Sequence, residues 1–576
     1  MSDASRTLPG PGAAPTGRRG PDRDRRTAAP SHGFLARAAA VTAALTVAGA
    51  VLGLVRDQTF AHVFGADTDT DAFLVAWTVP EVAATLLIED GLALVLVPAF
   101  SLAAVRRSGP AALVHQGGPD RRTPAADPVR ALVAATLPRL ALALTALAAL
   151  LVVAAPALVG LLAPGLPRPG LAVDCTRLTA TCALTFGLAG YCSAALRGHG
   201  RFLAPATIYV AYNTGIIAVL LAFGARWGVR AAAAGVAAGG CLMVAAQVPP
   251  LWRGMRRTAR PGTRWRTPRA ARSATGERAP KERTGALRLA MVAPVIVFAL
   301  ARQFQTLIER HLAAPLPAGA ISHLNYAQKV AQMPMVLSLM LCTVTFPVVA
   351  RALAAGETER ARRRVEGDLL VAGAIVLLGT AVVIGCAPQI VELLFQRGAF
   401  GPADTAATAA VMRVYAMGLL AQTMVGVLVR SYFSAARPTW YPAATMLACL
   451  VVTAAAGAWA APAWGARGIA AANALGIAVG ALALFAGTGR RSVGLPRRRV
   501  GGELLKLAAA GAGATGACWW CAARFTGPAA AITAGSLAAL LCFLLLARAA
   551  RVRGFAPLAL LRLLSRPLTR RLRNAR

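Results

Sequence analysis

Charge is scarce in this chain: 15% of its 576 residues are charged against 57% hydrophobic, with a mean hydropathy of +0.58. That composition excludes an ordinary soluble domain and points to a polytopic membrane protein. Catalytic motifs are missing as well. There is no G-x-S-x-G, no Walker A sequence, no H-E-x-x-H and no clustered His/Cys set. Their absence argues against an ATP-driven pump, and an enzyme would have no soluble domain to hold its active site, so no metal and no cofactor is expected. Lysine is nearly missing, three residues against 58 arginines, a bias of composition that carries no functional weight.

The ten cysteines lie almost all within apolar runs, where a thiol packs as a small hydrophobe; C-W-W-C at 518–521 therefore reads as packing rather than as a redox or metal pair. The net charge of +38 falls in short segments between apolar runs instead of on one face, an orientation signal and not a nucleic-acid footprint. Residues 1–33, rich in Pro, Gly, Ser and Arg, cannot bury enough apolar surface to fold and read as a disordered basic tail.

About 20 apolar residues are needed to cross a hydrocarbon core of about 30 Å. Fourteen such segments occur, at approximately 34–56, 72–100, 130–160, 172–196, 203–225, 229–251, 289–312, 319–350, 368–396, 404–434, 440–462, 467–487, 503–523 and 528–548. Segments 72–100, 319–350 and 404–434 exceed a simple span and contain polar residues, so they are expected to tilt or kink. Arginines gather in alternate connections, with twelve Lys/Arg against two Glu in 253–288 and nine Arg without an acid from 548 onward. Both termini are thus expected on the cytoplasmic side of the inner membrane, and the basic loops suit anionic lipid headgroups.

Two pairs of segments echo each other about 240 residues apart: YCSAALRGHGRFLAP (191–205) with YFSAARPTWYP (432–442), and LVGLLAPG (158–165) with IVELLFQRG (390–398). The expected fold is all-α, with a six-helix lobe at 34–252, a basic linker at 253–288, a second six-helix lobe at 289–488, two more spans within 489–550 and a basic tail at 551–576.

Ionisable groups inside spans cost roughly 2.5–3.5 kcal/mol and mark cavities or partners. Arg302 lies near the middle of its segment and Lys329 ten residues into the next, roughly 15 Å deep. A cavity lining and a structural ion pair, for example with Glu89, both account for them. Arg56, beside Asp57, reads either as an interfacial anchor or as a substrate contact. Asp71 opens a helix that it could cap, while Glu89 and Asp90 follow about 27 Å further along the same helix, at the inner boundary or in a cavity. Buried cations suit an anionic substrate, and a diphosphate would offset their desolvation through charge-assisted hydrogen bonds.

GLVRDQTFAHVFGADTDTDAFLVAWTVP (53–80) resembles the first-helix signature of the MurJ/MviN lipid II flippases, members of the MOP exporter superfamily. The resemblance continues through NYAQKVAQMP (325–334), TFPVVAR (345–351), ELLFQRGAFGPADT (392–405) and SYFSAARPTWYP (431–442). It implies alternating-access transfer of an undecaprenyl-diphosphate-linked peptidoglycan precursor from the inner to the outer leaflet. It also implies that Arg56 and Lys329 stand where the family grips the diphosphate, and that Asp71 matches the family's T-D-A-F aspartate. Ala50 and Ala84 stand where the family carries further arginines. The expected substrate contacts are Arg56, Arg302 and Lys329, with gating or coupling by Asp71, Glu89 and Asp90. The expected partners are a lipid-linked diphosphate, anionic lipids and cell-wall synthesis proteins, with no nucleic acid. A flippase for another polyprenyl-linked glycan, a multidrug-type exporter and a non-transporting scaffold are the alternatives.

Overall fold

A computed structural model describes residues 32–89, 128–199, 201–257, 284–343, 346–433, 439–489 and 492–552, with isolated positions between 92 and 103. The described elements are all helical, as a chain that must satisfy its own backbone hydrogen bonds in hydrocarbon requires. The tail before residue 32, most of the 253–288 linker, Asp90 and the tail after residue 552 lie outside the described residues.

The first half of the chain forms α1 (His32–Phe64), α2 (Thr68–Ala76), α3 (Thr78–Ala84) with a π turn at Thr85–Glu89, α4 (Pro128–Val153), α5 (Ala155–Leu162), α6 (Pro169–Ala180), α7 (Cys182–Gly198), α8 (Leu203–Ala206), α9 (Ile208–Trp227) and α10 (Val229–Arg257). The second half forms α11 (Thr284–Ala313), α12 (Ala320–Ala331), α13 (Met333–Thr343), α14 (Phe346–Ala354), α15 (Thr358–Gly385), α16 (Ala387–Phe395), α17 (Pro402–Met417), α18 (Leu419–Phe433), α19 (Tyr441–Ala486), α20 (Arg497–Ala522) and α21 (Pro528–Ala549).

Proline sets four of the eight single-residue breaks between consecutive described helices. The gaps at Trp77, Ala154, Gln332 and Cys386 each precede a proline, at 80, 156, 334 and 388. Each proline removes a donor and crowds the carbonyl four residues back. The segments expected to kink do so: 72–100 at Trp77, 319–350 at Gln332, and 404–434 by a 44° bend at Gly418. Gly418 has no proline nearby, but a Cβ there would stand 3.1 Å from Ala474 Cα, so the bend follows close helix approach. The segments 440–462 and 467–487 are two helices within α19 that meet at Gly465, where φ 56° and ψ −139° break the helix in a conformation only glycine adopts freely. Nine described helices are long and apolar enough to cross a bilayer, ten counting the bent pair, against fourteen segments predicted. Broken α12–α13, the charged α11 and α20, and the two segments counted together in α19 account for much of the difference.

Helices α1–α10 pack mainly on one another, as do α11–α21, with α20 and α21 seated against α15 and α16. The halves meet where α2 touches α12, α5 touches α11 and α1 touches α16. Exposed apolar residues such as Leu142, Leu150 and Val153 of α4 form the lipid-facing surface. Trp227, Trp459, Trp464, Trp519 and Trp520 are exposed near the end of the bundle that holds Gly65, and Trp252 and Trp440 near the opposite end. Such belts mark the two interfaces of a membrane slab.

Candidate functional site

Helix α1 delivers the first cation. Gly49 lets α1 approach α9 until a Cβ would stand 3.0 Å from Tyr209 Cβ, and this brings Arg56 to Asn213. Arg56 Nη1 donates to Asn213 Oδ1 at 3.0 Å, and Asn213 Nδ2 donates to Gly49 O at 3.1 Å, so the amide fixes the guanidinium to the helix backbone. Arg56 Nε and Nη2 donate to Asp57 Oδ1 at 3.0 and 2.8 Å. The other carboxylate oxygen faces the second half, where Lys329 Nζ of α12 lies 3.1 Å from Asp57 Oδ2. Both cations stand over the Trp77 ring, Arg56 Cζ at 4.6 Å and Lys329 Nζ at 5.8 Å from its centroid. Two positive groups thus share one carboxylate, leaving a surplus of one charge.

These residues line a cavity of about 20 Å³, room for one water. Asn325 Nδ2 and Tyr326 Oη, from two residues that line it, have no hydrogen-bond partner among the described residues. The cavity is too small for a lipid headgroup, so in this conformation the halves leave no room for one between the two cations.

Asp71 does not cap its own helix, a role that Asp67 fills by accepting from Thr68 N at 2.6 Å. Its carboxylate crosses to the other half and accepts from Gly319 N and Ser322 N, both at 2.8 Å, and from Ser322 Oγ at 2.5 Å. It therefore caps α12, whose first four amides have no intrahelical acceptor. Close by, Ala399 N donates to His62 O at 2.9 Å. Gly65, Gly319 and Gly398 all have positive φ at this seam, and a Cβ on Gly398 would stand 2.3 Å from His62 O.

A second set of bonds crosses further along. Arg310 donates through Nη1 to Thr78 Oγ1 and through Nη2 to Glu81 Oε2 at 2.9 Å. Gln303 Nε2 donates to Thr85 Oγ1 at 2.6 Å. The neighbouring Glu309 turns the other way and accepts from Tyr415 Oη and Asn473 Nδ2 inside its own half.

The structure thus unites Arg56 and Lys329, and the ion partner of Lys329 is Asp57 where the sequence suggested Glu89. Arg302 does not line the cavity; it is exposed on α11. Helical geometry puts it about 140° around the axis from the exposed apolar Val297, on the side of Thr306 and Arg310. Glu89 closes the π turn, and Asp90 lies outside the described residues. Sequence reasoning did not single out Trp77, Asn213, Glu81 or the cross-bundle role of Arg310. An asparagine inside the apolar 203–225 segment was the available signal for Asn213.

The profile of the family described as Lipid II flippase MurJ matches residues 60–539. The Lipid II flippase MurJ of Burkholderia cenocepacia is 26% identical over 499 residues, covering 85% of this chain and 91% of its own. The Probable lipid II flippase MurJ of Buchnera aphidicola is 24% identical over 398 residues, covering 68% and 71%. Among solved structures, a lipid II flippase MurJ in an inward closed conformation superimposes with a TM-score of 0.64 at 17% identity, covering 92% of this chain and 99% of its own. An inward-facing multidrug resistance MATE transporter of the MOP superfamily gives 0.56 at 14% identity, covering 77% and 96%. At these identities the two structures establish the shared all-α transporter fold.

Proposed function

The chain belongs to the lipid II flippase MurJ family, and from that premise we propose that it carries lipid II from the inner to the outer leaflet by alternate opening of the seam between its halves. It is a multi-pass membrane transporter and not an enzyme. Residues 34–252 and 289–488 act as two lobes, with both termini cytoplasmic, so the Gly65 end faces outward and stands shut. The observation that carries the reading is the pair Arg56 and Lys329, one from each half, held on the single carboxylate of Asp57. A diphosphate entering from the inner side brings further acceptors to these cations, which share one carboxylate, and a first acceptor to the unpartnered Asn325 and Tyr326 donors. Each charge-assisted bond gained stabilises the complex by roughly 1.5–3 kcal/mol. As the diphosphate takes over Lys329, Asp57 is released and a bond between the halves is lost, which links loading to opening.

Arg302, exposed on the polar side of α11, is assigned the first contact as the headgroup arrives. Asp71 is assigned the outer latch, and Glu89 with Asp90 the inner gate at the opposite end of the same segment. The basic loops hold anionic lipid headgroups and cell-wall synthesis proteins near the inner face. A multidrug-type exporter fits less well, because its cavity would favour carboxylates and aromatics over two paired cations.

Depletion of the native flippase in a host, with rescue by this chain, tests the proposal. Rescue by the wild type, none by Lys329→Ala or Arg56→Ala, and inner-leaflet accumulation of lipid II with the inactive variants are expected. Full rescue by both variants would remove the cation pair from the mechanism.

A further inference from the structure

Cys386 stands in the break between α15 and α16, and Cys518 lies one turn before the end of α20. Both are fully buried, and their Sγ atoms are 3.4 Å apart. Two glycines make the room. A Cβ on Gly385 would lie 2.7 Å from both Cβ and Sγ of Cys518, and one on Gly535 would lie 2.8 Å from Cys386 Sγ and 3.2 Å from Cys518 Sγ. Two helices therefore offer hydrogen where a side chain would drive the sulfurs apart. The other polar contact of Cys386 Sγ is the Ala531 carbonyl at 3.9 Å, and among the described residues no metal-binding cluster exists to claim the pair.

We propose that Cys386 and Cys518 are a redox-modifiable pair that closes into a disulfide and staples the α15–α16 break to α20. A disulfide needs the sulfurs at about 2.05 Å, an approach of about 1.4 Å from the reduced separation. The oxidant is a small apolar organic disulfide, R–S–S–R, which reaches the buried sulfurs when the α15–α16 break opens locally. One cysteine displaces R–SH to form a mixed disulfide, and the second displaces the other R–SH. The reagent's S–S bond breaks, the protein's forms, and both thiol protons leave on the two R–SH. The staple matters because α16 leads to the turn that places Ala399 on His62. Fixing its base restrains the element that latches α1.

Full-length protein in micelles, treated with the small apolar disulfide 2,2′-dithiodipyridine, alkylated at its unpaired thiols in denaturant and digested without reductant, reads the outcome by mass spectrometry. A Cys386–Cys518 linked peptide is expected, lost after dithiothreitol and absent from C386S. The oxidised wild type is expected to melt higher than the reduced, a shift missing in C386S. Recovery of both cysteines alkylated, or of Cys518 joined to Cys521, would overturn the proposal, and neither readout depends on the variant folding. A linked peptide without a melting shift would overturn the stapling role.

Discussion

Asp71→Ala separates a gate from a local helix cap. The substitution deletes three hydrogen bonds that run from the first half to the start of α12, from Gly319 N, Ser322 N and Ser322 Oγ. Loss of a capping acceptor costs about 0.5–2 kcal/mol, and each buried amide left unpaired adds about 1–3 kcal/mol. Because opening the seam lets water satisfy those amides, the cost falls on the closed state alone. Taking about 3 kcal/mol as the net, and about 1.4 kcal/mol per decade, the open fraction rises about a hundredfold. Hydrogen–deuterium exchange reads this at two places. The amides of Gly319 and Ser322 lose their acceptor directly, whereas Ala399 N, bonded to His62 O, does not touch Asp71. If closure is cooperative, both exchange faster by the same factor, and Asp71→Asn, which keeps one acceptor oxygen, gives a smaller rise in both. Faster exchange confined to 319–322 would show a cap with no gating role and refute the reasoning.

Gly398→Ala is expected to hold the outer seam open, because its φ of 62° is strained for alanine and the new Cβ would press on His62 O; the 396–401 peptide should exchange faster, and an unchanged rate would contradict the latch. Lys329→Arg is expected to retain rescue at reduced activity, since the charge persists over Trp77 while the fork reaches Asp57 differently; a null phenotype equal to Lys329→Ala would mean that charge is not the requirement. Trp77→Leu removes the ring beneath both cations, and roughly 0.5–2 kcal/mol of cation–π stabilisation with it. It should weaken lipid II binding by up to about thirtyfold without abolishing insertion, as native mass spectrometry of the complex would show. Glu81→Gln leaves Arg310 buried without its carboxylate and should lower the melting temperature of the closed state more than a surface Glu359→Gln change, whose partners are exposed.

Several features of the site were legible in order along the chain. Arg56 and Lys329 stand out because a charge inside an apolar run is expensive wherever it ends up, and the kinks at Trp77 and Gln332 follow from prolines at fixed offsets. What the chain order could not show was partnership. Lys329 lies 272 positions from Asp57, the carboxylate that holds it, and nothing local distinguishes that carboxylate from Glu89. Asp71 looked like a cap, and it is one, but for a helix in the other half. Arg302 sits mid-segment by count, yet it does not line the cavity.

The sequence by itself determined the solvent of this protein, the helical class, the break points set by proline and the list of costly charges. Each of these depends on a residue and its near neighbours: hydrocarbon satisfies no backbone group, and a proline's missing donor acts four residues back. Only the tertiary structure decided which charges meet, because packing of α1 on α9 and of α2 on α12 sets side chains within 3 Å or so that lie hundreds of positions apart. Electrostatic pairing falls off over distances shorter than a helix is wide, so it is fixed by how helices pack rather than by where they occur.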